Sequence, residues 1–360
     1  MAEAKSKELK EKLFYKRKNA YNAMSGAELE AAEVFCEGYK RFIDIGKTER
    51  EACAEAVKIA ERKGFKPFEK GKKYCAGDKI YVNNRGKAVI LAVVGTEPVE
   101  NGVNLVAAHI DSPRLDLKQN PLYENEELGY FKTHYYGGIK KYQWPAIPLA
   151  LHGVICKSDG SRISVTLGEN ENDPVFVVTD LLPHLADEQY KRPASKLIKG
   201  EELNILIGSR PFKEDDASEA VKLNLMCILN EKYGITEEDF ISAELEYVPA
   251  FKAKDVGFDR SMIGAYGQDD RVCAYPALMA ITDLTEAPAR TAVTILTDKE
   301  EIGSEGCTGL KSSYLRYFIG SLAEAMGTDG HTVLSGSKCL SADVNAAFDP
   351  TFPDAFEKLN

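Results

Sequence analysis

The sequence predicts an α/β domain interrupted by an inserted, mainly β domain, and three observations carry this expectation. The first sixty-odd residues have helical periodicity. Apolar runs of strand length follow, ending in polar residues, and the same rhythm returns after about Lys254. Between them, over 117–250, polar and apolar residues alternate and Tyr and Gly are dense. The expected division is therefore 1–116 with 251–360 as one discontinuous domain, and 117–250 as the insert. The length of 360 residues suits this, at roughly 150 residues per domain. Hydrophobic residues make up 44% and charged residues 28%, the balance of an ordinary globular chain rather than a disordered or fibrous one.

The elements follow in order. Ser25 with Glu28, and Thr48 with Glu51, have the spacing of capping boxes. Leu29, Ala32, Phe35, Cys36 and Tyr39 share one helical face, and Gly46 and Gly64 are plausible stops. Lys79 to Val82 reads as a strand, 83–86 as a turn, and Ala88 to Val94 as a strand buried on both faces. Val103 to Ala108 is a third apolar run, ending in His109-Ile110-Asp111-Ser112-Pro113. In the middle segment, Arg162 to Gly168 alternates like a strand with one wet face. Pro174 to Leu182 is strand-like, and Ser218 is placed to cap a helix over Glu219 to Lys232. Later, Arg271 to Leu284 looks helical and Thr291 to Thr297 is a β-branched strand. Leu310 to Met326 looks helical, and Lys338 to Ala342 is a short strand running into Asp343.

Charge and composition remove several classes of function. Lys plus Arg number 46 against 56 for Asp plus Glu, a net charge of −10, so nucleic acid is not an expected partner. The one basic stretch, Lys5 to Lys18, is interleaved with Glu8 and Glu11 and reads as a solvated helix. The longest apolar run is far below the ~20 residues of a spanning helix, so no membrane partner is expected. The N-terminus lacks the apolar stretch of a signal peptide, and a cytoplasmic location is expected. The eight cysteines are scattered without a C-x-x-C pair, which reads as buried, reduced thiols rather than a disulfide framework.

Four clusters stand at the C-terminal ends of the expected strands or in loops beside them: His109 with Asp111, Asp269 with Asp270, Glu300 with Glu301, and Asp343. Singly, each has a plainer reading, as a surface turn, a helix cap or solvated charge. Together they offer a histidine and several carboxylates from different strands toward one edge. Zn²⁺ accepts that donor set. Two such ions can share a bridging carboxylate and activate water between them. Mn²⁺ and Co²⁺ also bind such donors. Adjacent glutamates serve one site only where the chain turns, and Gly303 permits a turn. One would then be a metal ligand and the other a free general base.

These motifs resemble the aspartyl aminopeptidase family, in its bacterial, clostridial-type branch. The matching stretches are A-A-H-I-D-S-P (Ala107 to Pro113), Y-Y-G-G (Tyr135 to Gly138), L-L-P-H-L-A (Leu181 to Ala186), G-Q-D-D-R (Gly267 to Arg271), D-K-E-E-I-G-S-E (Asp298 to Glu305) and L-S-A-D-V-N-A-A (Leu340 to Ala347). They span nearly the whole chain in the family's order. The resemblance implies a three-layer αβα zinc-exopeptidase-like domain with an inserted dimerisation domain. It implies two zinc ions per subunit and release of single N-terminal residues, acidic ones preferred, from peptide substrates. It also implies a homo-oligomer of dimers, which can assemble into a dodecamer. By resemblance, His109 and Asp343 bind the first metal, Asp269 rather than Asp270 bridges both, and Glu301 binds the second. Glu300 is the general base, Asp111 orients His109, and His184 reaches a partner subunit's site to contact substrate.

The sequence departs from the family in one respect. The pattern has one more histidine ligand well after D-V-N-A-A, whereas here the last histidine, His331, precedes Asp343, and the sequence given ends at Asn360. The expectation is a chain truncated at its C-terminus that binds about one metal tightly. A non-catalytic remnant that assembles without turnover is the alternative. A related deacylase or carboxypeptidase is a weaker one, against which Y-G-G and P-H-L-A argue.

Overall fold

The computed structural model describes residues 2–213 and 218–357. Three helices open the chain: α1 (Ala2–Leu13), α2 (Gly26–Ile45) and α3 (Glu49–Arg62). α1 ends five residues before Lys18, and the side chains of residues 5–13 are exposed. Both expected capping boxes form. Ser25 Oγ accepts the Glu28 N–H while the Glu28 carboxylate accepts the Ser25 N–H, and Thr48 and Glu51 do the same for α3. Two of the orphan donors at each helix start are thereby satisfied.

Four strands follow: β1 (Lys66–Pro67), β2 (Lys79–Asn84), β3 (Ala88–Val93) and β4 (Asn104–His109). The chain then builds a second sheet from β5 (Arg114–Asn125), β6 (Leu128–Tyr136), β7 (Leu149–Cys156), β8 (Arg162–Leu167), β9 (Val177–Val178), β10 (Ile205–Gly208) and β11 (Ala243–Pro249), with a short α4 (Asp187–Tyr190) and α5 (Ala220–Tyr233). A hairpin of β12 (Lys254–Val256) and β13 (Met262–Gly264) leads to α6 (Gln268–Thr282). β14 (Ala292–Thr297), α7 (Tyr314–Ala325), α8 (Gly330–Gly336) and β15 (Lys338–Ser341) then return to the first sheet. That sheet has the order β1-β2-β3-β14-β4-β15, with β14, β4 and β15 parallel.

The first sheet is the middle of three layers. Val89, Leu91 and Val93 of β3 join a core with α2, α3 and α6, through Phe42, Ala56, Leu278 and Ile281. The intervening Ile90 and Ala92 face the opposite core, with Phe318, Leu322 and Val333 of α7 and α8. A run apolar at every position is what a strand covered on both faces requires. The second sheet has its own core, including Leu115, Phe131, Leu149, Leu151 and Tyr247.

Three expectations are corrected. Of 174–182, only Val177–Val178 forms a strand, with a single bridge from Phe176 to Leu149. Pro174 has no ladder donor, and beyond 180 the chain turns into a 3-10 turn at Pro183–Leu185. Ser218 does not cap α5. Glu219 precedes the helix in a left-handed conformation, and the Lys222 N–H instead donates to the Glu124 carboxylate of β5 at 2.9 Å. The eight cysteines are free, but only Cys53 is buried. Cys36 of α2 and Cys227 of α5 are among the exposed ones.

Candidate active site

The parallel register of β14 and β4 sets Thr297 opposite His109, so both strands end at one edge. β15 pairs Ser341 with Ala107 and delivers Asp343 to the same edge. After β14, Lys299 turns the chain through a left-handed conformation into a 3-10 turn at Glu300–Ile302, closed by Gly303 at φ +95°. The turn places both glutamates at the edge. Asp269 and Asp270 lie at the start of α6 in non-helical conformations. Ser112 Oγ holds the Asp269 carbonyl at 3.0 Å. The buried Arg271 guanidinium ties the loop to the Ile110 and Lys47 carbonyls.

His109 is the centre of this group. It is 3% exposed, and its Nε2 is buried without a hydrogen bond. Asp269 Oδ1 lies 3.3 Å from that nitrogen and Glu300 Oε2 3.6 Å. His109, Asp270 and Asp343 also offer ligand atoms that all lie within 4.8 Å of one another. Asp270, which the sequence reading set aside in favour of Asp269, is thus at the cluster, fully buried, while Asp269 is the more exposed of the pair.

Asp111 sits beneath and is fully buried. Its Oδ1 is 3.3 Å from His109 Nδ1 and accepts the Glu300 N–H at 3.2 Å. Its Oδ2 accepts the Glu301 N–H at 3.2 Å and the Tyr136 hydroxyl at 2.6 Å. Burial alone would raise the pKa of Asp111, but His109 and Tyr136 hold it below the ordinary value. Gly137, at φ +74°, packs on Glu301: a Cβ there would lie 2.9 Å from Glu301 Oε2. The sequence reading gave Y-Y-G-G no role in the site.

The cluster is short of positive charge. Burial, followed by the Asp269 charge, pushes Glu301 up to about 7. Burial is likewise the main cause of the rise of Asp270 to about 6. Desolvation lowers the His109 pKa, yet Asp111 and the other carboxylates outweigh it and raise it to about 9. His184 is exposed in the turn at Pro183–Leu185, and no hydrogen bond or ion pair joins it to this cluster.

Residues 42–360 match the family model described as aminopeptidase I zinc metalloprotease (M18). The chain belongs to the M18 family. A probable M18 family aminopeptidase 1 of Clostridium acetobutylicum is 51% identical over 354 residues, 95% of this chain and 75% of the relative. The crystal structure of the M18 aminopeptidase of Thermotoga maritima superposes with a TM-score of 0.89 at 44% identity, covering 96% of this chain and 76% of the other. Aminopeptidase I of Clostridium acetobutylicum gives 0.86 at 49%, covering 95% and 75%. This M18 chain is accordingly a zinc-dependent aminopeptidase, a hydrolase of peptide bonds. The residues present fit the metal: a buried imidazole nitrogen without a hydrogen bond, ringed by carboxylates, is a zinc donor set. Among the described residues, no helix is long and apolar enough to cross a membrane.

Proposed function

We propose that this aminopeptidase uses two zinc ions and that Glu300 is its general base. His109, Asp343 and Asp269 would hold the first ion. Asp269 and Glu301 would hold the second, which, with fewer of these donors, would be the weaker position. The observation that carries the reading is His109 Nε2, buried without a hydrogen bond between Asp269 at 3.3 Å and Glu300 at 3.6 Å. Zinc, when bound, supplies Lewis acidity that polarises a peptide carbonyl and makes a water more acidic. Glu300 takes the proton of the attacking water on its carboxylate and passes it to the leaving amine. Its side chain is 44% exposed, so it reaches the solvent from which water and substrate arrive. Asp111 keeps the His109 ring in one tautomer: Nδ1–H donates to the Asp111 backbone carbonyl at 3.1 Å with the carboxylate 3.3 Å away, which leaves the Nε2 lone pair free for a metal.

The substrates are peptides from which single N-terminal residues are released, acidic ones preferred; this preference rests on the family resemblance. Residues 1–116 and 251–360 form the catalytic unit, and 117–250 the dimerisation and capping unit. The single sheet and separate core built by β5–β11 support that division. His184 contacts substrate in a partner subunit. Around it Leu181, Leu182, Leu185 and Tyr190 are each more than half exposed, an apolar patch suited to cover by a second copy.

Glu300→Gln tests the assignment. The variant should keep wild-type zinc and lose about 10²–10⁴-fold in turnover on a peptide substrate, whereas Glu301→Gln should lose zinc. The reverse pattern in metal analysis exchanges the two roles.

A further inference from the structure

We propose that Tyr136, supplied by the second sheet, is a positioning residue for the metal site of the first. The inference rests on the reading of His109 as a zinc ligand. A carboxylate offers about four acceptor positions; three hydrogen bonds reach that of Asp111, and His109 Nδ1, hydrogen-bonded to the Asp111 backbone carbonyl at 3.1 Å, lies beside it. Oδ1 faces His109 Nδ1 at 3.3 Å and the Glu300 N–H at 3.2 Å. Oδ2 faces the Glu301 N–H at 3.2 Å and the Tyr136 hydroxyl at 2.6 Å. One residue therefore sets, in a single frame, the ligand imidazole, through its carbonyl with the carboxylate alongside, and, through the carboxylate, the two-residue segment carrying the base and a further ligand. Three of its contacts are long. The hydroxyl contact is the short one, in the range of a strong O–H···O⁻ bond, and it alone comes from the other sheet.

Tyr136 is itself fixed. It ends β6 and pairs across the ladder with Arg114, the first residue of β5. The Arg114 guanidinium lies over its ring, 3.9 Å from the centroid. Arg114 is 5% exposed and anchored by Glu49 of α3 at 3.2 Å, Asp116 at 2.7 Å and Glu246 of β11 at 3.2 Å. A cation over the face draws electron density from the ring, which strengthens the hydroxyl as a donor. The chain of contacts runs from α3 and β11 through Arg114 and Tyr136 to Asp111, and so to His109. Gly137, packed on Glu301, continues the same loop along the site. Tyr136 and Gly137 thereby acquire a role: they are where the second sheet holds the metal ligands of the first in register.

The test is zinc affinity, measured at 25 °C by competition with a chromogenic chelator on the folded, metal-free chain. Tyr136→Phe keeps the ring beneath Arg114 and removes only the donor. Loss of such outer partners costs roughly 10–100-fold in metal affinity, and that weakening is expected, together with a lower kcat at little changed KM. Tyr135→Phe, one residue away, has no hydroxyl bond to Asp111 and should bind zinc as the wild type does. A purely structural role would lower the unfolding midpoint of the metal-free chain while leaving the dissociation constant unmoved, and that result overturns the proposal. An unfolded Tyr136→Phe chain overturns it too, since the hydroxyl would then serve the fold. His109→Ala separates the two layers of the argument. If His109→Ala loses zinc and Tyr136→Phe does not, positioning fails alone; if His109→Ala keeps wild-type affinity, the ligand assignment beneath it fails.

Discussion

Asp269 and Asp270 are adjacent, yet they differ in burial and company. Asp269 stands half in solvent, 3.3 Å from His109 Nε2; Asp270 is fully buried and clusters with His109 and Asp343. With Asp269 as the bridge, Asp269→Asn should weaken zinc binding by more than the roughly 10–100-fold that loss of an outer partner costs. Asp270→Asn should weaken it less; the opposite order in a chelator titration moves the bridging role to Asp270. A second residue-scale prediction concerns pH. His152 lies between Glu51 at 2.8 Å and Glu169 at 3.1 Å, and the buried Lys47 ammonium lies 3.1 Å from Glu169. Burial acts to lower the His152 pKa, but the two carboxylates raise it above 6.5. Burial acts to raise that of Glu169, but His152, Lys252 and Lys47 bring it down to about 2. A raised histidine stabilises fully below pH 6.5 and loses its contribution as pH climbs through the folded value. A lowered carboxylate stabilises above about pH 4.5 and loses its contribution as pH falls toward 2. The wild type should therefore exceed His152→Gln in unfolding free energy by most near pH 5–6, on the order of 1–2 kcal/mol, with the gap closing at alkaline pH. A gap independent of pH in urea titrations refutes the charged pairing.

At the scale of elements, α3 links the two sheets. Its N-cap Thr48 is buried, and its capping-box partner Glu51 also holds His152 of β7. Thr48→Ala should cost about 1 kcal/mol, read as a lower urea midpoint at unchanged slope. A larger loss would mean that the cap also sets the Glu51 carboxylate for His152. Both capping boxes were legible in the sequence, because the partners lie three residues apart and the geometry is local. The start of α5 was not legible: Glu124, more than ninety residues earlier, supplies the acceptor, and no local pattern carries that. The strand expected over 174–182 failed for a related reason. Its composition suits a strand, but it has a ladder partner over only a few residues.

At the scale of the molecule, the exposed leucines around His184 and the proposed shared site belong to an assembly. Mixing Glu300→Gln subunits with His184→Ala subunits should restore activity that neither has alone, since some sites would combine a sound base with a sound His184. No restoration at any mixing ratio, with assembly shown by light scattering, assigns His184 to its own subunit or to no role.

The sequence by itself determined the class of the fold, the strands that reach the metal edge and most of the residues gathered there. Strand periodicity, the polar ends of buried strands and the D-K-E-E turn are all local in the chain. Only the tertiary structure decided that Asp270 is buried beside His109 and that one residue, Asp111, holds His109 on its carbonyl and Glu300, Glu301 and Tyr136 on its carboxylate. It also decided that most of the cysteines face solvent. These outcomes depend on which surfaces meet. Burial and hydrogen-bond partnership between residues tens to hundreds of positions apart follow from strand register and helix packing, which no short stretch of sequence encodes.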